Sequence, residues 1–162
     1  RATRAVTVSV IVAGALVVPA TVATGAAPVT AATTCRAGAR NGVITAYANV
    51  FSRTTQLTAD DRAASLDRGD DPAVRALLDG WLASPTGASS TVTVTTVRCT
   101  GRNRAAVDAE LVLAGTPLPR VLPEGGAVRR GGTWKVATAT FCTRMILEDP
   151  DLASGGACAR RR

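Results

Sequence analysis

The apolar residues of this chain change their period once, and that change limits what it can fold into. Up to residue 83 they recur with helical spacing; from residue 90 they alternate. Asn41 to Arg53, "NGVITAYANVFSR", puts Val43, Ile44, Tyr47, Val50 and Phe51 on one helical face. A second, short helix is predicted from Thr58, which is a good N-cap. Asp60 and Asp61 occupy its dipole-favoured first turn and Gly69 its end. In "DDPAVRALLDGWLAS", Asp71 caps and Pro72 takes the first helical position. Val74, Leu77, Leu78, Trp81 and Leu82 form the stripe. "SPTGASS", residues 84 to 90, reads as a linker loop.

The strands come after it. "STVTVTTVRCT" alternates, with a parity slip at Thr95 and Thr96 that marks a bulge. "GRN" turns the chain. "RAAVDAELVLAG" then sets Val107, Ala109, Leu111 and Leu113 on one face, with Asp108 and Glu110 on the other. A short edge strand is expected near Val121, and a hairpin turning at Gly131 and Gly132. Trp134 to Leu147 is expected as a long final strand. Helices first and strands afterwards make an α+β fold, with N-terminal helices packed on a curved antiparallel sheet.

Residues 1–32 read as a signal peptide. Arg1 and Arg4 precede an apolar run of 13 residues, Val6 to Val18, and small residues follow. That run fits an h-region of about 7–15 residues and falls short of a membrane span. Cleavage is expected between Ala20 and Ala32, with an uncleaved anchor as the rival. A lipid anchor at Cys35 is discounted because "ATT" precedes it. Residues 33–162 then form a single α+β cone domain with a C-terminal disulfide loop and a basic tail. Cys35, Cys99, Cys142 and Cys158 make an even count, which in an exported chain reads as two disulfides. No C-x-x-C pair supports a zinc site. Of the three pairings, Cys142–Cys158 with Cys35–Cys99 is favoured. The first closes a short loop containing Pro150, Gly155 and Gly156, and the second pins the mature N-terminus to a strand.

Net charge is +7, but the arginines are scattered and aromatics are 3%. A nucleic-acid face needs clustered basic residues with interleaved aromatics, so no nucleic-acid partner is expected. The chain has no histidine. A serine–histidine triad and a histidine-ligated metal are therefore ruled out within one chain. No phosphate-binding glycine loop precedes a helix, and no cofactor or metal is expected.

Three stretches carry a family likeness: "STVTVTTV" at 90 to 97, "GGAVRRGGTWKV" at 125 to 136 and "TFC" at 140 to 142. With the helical start and the leader, residues 41 to 147 resemble the secreted low-molecular-weight antigen family of actinobacteria. That family lies within the nuclear-transport-factor-2-like, cystatin-like superfamily. The resemblance implies export and a small cystatin-like cone, and it brings no activity with it. Related membrane-tethered proteins share the fold, so a membrane partner is implied only if the leader stays uncleaved.

Superfamily enzymes work inside the cone with an Asp, His or Tyr. Here Asp108 and Glu110 oppose the apolar parity of their strand. Asp60, Asp61, Asp70 and Asp71 are explained by helix starts. Glu148, Asp149 and Asp151 read as a solvated acidic loop, since calcium-loop spacing is missing. Arg129 and Arg130 beside Glu124 read as a surface hairpin tip in preference to an anion site. Tyr47 is the remaining acid/base candidate. Tyr47, Phe51, Trp81 and Trp134 are the candidate pocket lining, although a core role accounts for each. The reading is an exported non-catalytic domain that binds a small apolar ligand in the cup or an envelope protein. The alternative is a small cyclase- or isomerase-like enzyme with its site inside the cone.

Overall fold

The computed structural model describes residues 35–52, 56–118, 125–154 and 156–158. The leader, the strand expected near Val121, and the tail at Arg160 to Arg162 lie outside the described residues.

Helix α1, Ala39–Phe51, buries Ala39, Val43, Ala46, Tyr47, Val50 and Phe51, a single face at three- and four-residue spacing. Helix α2, Ala59–Ala64, begins with a capping box: Asp61 N donates to the Thr58 hydroxyl and Thr58 N donates to the Asp61 carboxylate. The helix stops at Ala64, before Gly69. The chain there is captured by a strand edge: Val136 N donates to Ser65 O and Asp67 N to Val136 O, a parallel bridge at Leu66. Helix α3, Pro72–Ala83, starts as read, with Asp71 accepting from Ala73 N and Pro72 in the first turn. The expected linker instead holds one helical turn, α4, Pro85–Ser89. Ser84 caps it by accepting from Gly87 N at 2.9 Å.

Arg62 of α2 reaches beneath the end of α1. Its Nη1 donates to Asn49 O at 2.9 Å and Ser52 O at 2.8 Å, with Val50 O at 3.4 Å. The last carbonyls of a helix lack internal partners. A buried cation supplies partners here and also opposes the negative end of the helix dipole.

The sheet is antiparallel and strongly curled. Strand β1, Ser90–Gly101, pairs along β2, Arg104–Leu113, with a register shift between Val94 and Thr96 where the parity slips. One edge of β2 serves two partners. Its start pairs with β4, Gly125–Arg130, and its end with the short β3, Thr116–Leu118. Strand β5, Thr133–Val136, completes the hairpin with β4. The concave face carries Ala105, Val107, Leu111, Ala127, Trp134 and Val136 against α1.

The long final strand is corrected. After Val136 the chain becomes helix α5, Thr138–Glu148, with Phe141, Cys142, Arg144 and Met145 buried. Two of its threonines bond backbone outside the helix. Thr140 Oγ1 accepts from Gly126 N at 2.7 Å and donates to Gly126 O, and Thr138 Oγ1 donates to Asp67 O. Two 3-10 turns follow, Pro150–Ser154 and Gly156–Cys158. Disulfides join Cys35 to Cys99 on β1 and Cys142 on α5 to Cys158.

Candidate functional site

The hollow of the sheet is filled. The Phe51 ring lies 5.8 Å from Tyr47, 5.9 Å from Trp81 and 6.2 Å from Phe141, and Trp81 meets Phe141 edge-on. These are the tilted and edge-to-face contacts aromatic rings favour in a core. Tyr47, Phe51 and Trp81, three of the candidate lining residues, are thus brought together as packing. All three are buried. The Tyr47 hydroxyl donates to Gly126 O at 3.1 Å. Burial pushes its pKa well above the usual phenol value, against the lowering effect of the Thr140 hydroxyl, so the group stays a neutral donor.

The carboxylates point elsewhere. Asp108 sits opposite Thr96 on the outer face of the sheet and pairs with Arg98 at 2.6 Å. Glu110 lies opposite Thr93 on that same face. Glu148 is ion-paired with Arg144, whose guanidinium is fully buried. Asp149 accepts from Asp151 N at 3.1 Å, opening the first 3-10 turn. Among the described residues no group of three His, Cys, Asp or Glu is placed to hold a metal ion.

Trp134, the fourth candidate, is separated from the other three. It floors a cleft of about 470 Å³ between the first half of α1 and the β4–β5 hairpin. The helix can approach because position 42 is glycine; a Cβ there would stand 2.7 Å from Trp134 Cδ1. Arg36, Thr45 and Asn49 form one wall, and Arg129 and Thr133 the other. Asn49 Nδ2 donates to Ser65 Oγ at 3.0 Å, fixing its amide. Arg129 pairs with Trp134 across the hairpin, so both side chains leave on the face toward α1. Arg130, one residue on, leaves on the opposite face and pairs with Asp67 at 3.3 Å. The two hairpin arginines, read together as a surface tip, are separated by this alternation. Among the described residues, no carboxylate lines the cleft.

Two smaller hollows adjoin each other along α3. One of about 420 Å³ is lined by Ala76, Leu77, Leu152 and Cys158. The other, of about 270 Å³, lies between Leu77, Trp81, Met145 and Leu152, with Glu148 at its edge.

The sequence of the described fold also matches a family model. The model describes the C-terminal domain of low molecular weight antigen MTB12 and covers residues 43–150, from within α1 to the start of the first 3-10 turn. No curated protein and no solved structure gives a significant match. The match spans two thirds of the chain, including the "GGAVRRGGTWKV" hairpin that forms one wall of the cleft. By that match, the chain belongs to the family of the low molecular weight antigen MTB12 C-terminal domain.

Proposed function

We propose that this chain is an exported, non-catalytic binding module that meets its ligand at the cleft over Trp134 and not inside the cup. One observation carries the reading. The interior of the curled sheet is occupied by Tyr47, Phe51, Trp81 and Phe141, while the cleft stays open with a volume typical of small-molecule sites. Two disulfides and an antigen family fit an extracytoplasmic protein. Export by residues 1–32, with cleavage between Ala20 and Ala32, completes the reading.

The rival enzyme of the cyclase or isomerase kind needs an acid or base within reach of a substrate in the cone. Asp108 is paired on the outer face and the Tyr47 hydroxyl is spent on a backbone carbonyl, which favours the binding module. Native mass spectrometry of protein from its own culture supernatant tests both the cleavage and the site. A retained small molecule is expected in the native chain and is lost in Thr45→Trp, which fills the cleft from an exposed helix position. Retention by Thr45→Trp at unchanged thermal stability would move the site elsewhere and sink the proposal.

A further inference from the structure

We infer that the ligand of this cleft carries an anionic group, a carboxylate or a phosphate, held between Arg36 and Arg129. The inference rests on the reading of the cleft as the binding site and adds the chemistry. Its first support is sign: among the described residues, two guanidinium groups line the cleft and no carboxylate does. Its second is pairing. Arg68, Arg75, Arg98, Arg130 and Arg144 each have an Asp or Glu partner. Arg36 and Arg129 have no such partner among the described residues. Arg40, Arg102 and Arg104 also have none among the described residues but lie outside the cleft, so Arg36 and Arg129 are the uncompensated arginines that one recess brings together.

The third support is positioning. Arg129 is half-buried, its main chain is tied to Asn103 O at 2.9 Å, and its side of the strand is set by the pairing with Trp134. A guanidinium held in this way offers a planar fork of donors that matches two oxygens of a carboxylate or phosphate. A recess floored by apolar groups, here Trp134 and Ala46, also concentrates the field of such charges. Thr45 and Thr133 add hydroxyls that suit the further oxygens of a polar ligand. A cation would be repelled from this recess.

The two tryptophans make the test direct, because Trp134 lines the cleft and Trp81 lies in the core. Inorganic phosphate, glucuronate and glucose are titrated into the disulfide-intact protein and followed by the indole N–H resonances. The expected result is a saturable shift of Trp134, with Trp81 unmoved, for phosphate, glucuronate or both. Phosphate alone assigns a phosphate ligand and glucuronate alone a carboxylate; either supports the inference. Arg129→Gln weakens the binding by about tenfold or more, the loss of one charge-assisted pair. Arg36→Gln, at an exposed position ahead of the helix, provides a second reading if Arg129→Gln folds poorly. Arg98→Gln on the outer face leaves the affinity unchanged, and added salt weakens binding. Glucose shifting Trp134 as strongly as glucuronate, indifferent to Arg129→Gln, would overturn the anion while leaving the cleft as the site. Silence from both anions would also overturn it; the cleft itself stands or falls with Thr45→Trp.

Discussion

Replacing Arg62 by methionine tests the way the first two helices are joined. Arg62 is 4% exposed, and main-chain oxygens at the end of α1 explain its burial. What it holds is the end of α1: two good hydrogen bonds, to Asn49 O and Ser52 O, and one long contact to Val50 O. Methionine keeps the length and the apolar stem and removes the donors. Each buried carbonyl left without a partner costs about 1–3 kcal/mol, so the two well-formed bonds imply about 2–6 kcal/mol. Part of this is recovered, because a guanidinium no longer has to be stripped of water. A net loss of about 3 kcal/mol remains, a large share of the ~5–15 kcal/mol typical of a domain. Urea unfolding with both disulfides intact reads it as a shift in midpoint at constant slope. Arg62→Lys should recover only part of the loss, since one ammonium cannot serve the same fan of carbonyls as well. A loss below about 1 kcal/mol for Arg62→Met would mean that water satisfies those carbonyls, and the capping argument would fail.

Gly69→Ala should cost about 2 kcal/mol or more, because its Cβ would fall 1.8 Å from Ala63 O and the backbone must move. Gly80→Ala, a helical site with nothing within 4 Å, should instead gain about 0.5–1 kcal/mol in the same titration. Replacing Cys35 and Cys99 by serine should cost about 4 kcal/mol and Cys142 with Cys158 about 3 kcal/mol, following loop lengths of 64 and 16. The reverse order would refute the loop-entropy account. The hydrogen bond from Ala73 N holds the Asp71 carboxyl below its usual range, and the Thr58 hydroxyl does the same for Asp61. A lowered folded pKa means the stabilisation is complete above the unfolded value of about 3.9 and fades as pH falls through the folded one. The native chain and Asp71→Asn should therefore converge in stability toward low pH, and a gap that widened there would contradict the sign.

Helix starts were legible because they rest on local chemistry. Asp71 before Pro72 and Thr58 three residues before Asp61 mark their helices by side-chain and backbone bonding within one turn. Ser84 before Pro85 carries the same signature, and read that way it would have found α4. The long-strand reading of Trp134 to Leu147 carried the hairpin strand that follows Gly131 and Gly132 past its end at Val136. The helix lies in the four-residue spacings Phe141–Met145 and Arg144–Glu148, which alternation masks. Arg62 left no pattern to read, since its hydrogen bonds reach main-chain oxygens 10 to 13 residues earlier. The cleft was hidden for another reason. Whether Arg129 faces α1 depends on strand register, and register is a property of the pairing, not of the "RR" itself.

The two disulfides also decide how the protein answers a pull. Tension applied ahead of Cys35 enters Cys99 directly through the covalent bond, so the chain between them, with α1, α2 and α3, carries no load. Beyond Cys142 the second bond shunts force in the same way to Cys158. Only the stretch from Cys99 to Cys142 can be drawn out between these points, to roughly 150 Å at full extension. Stretched from its ends, this protein would surrender β2, β3, β4 and β5 while its N-terminal helices stayed locked in an unbroken ring.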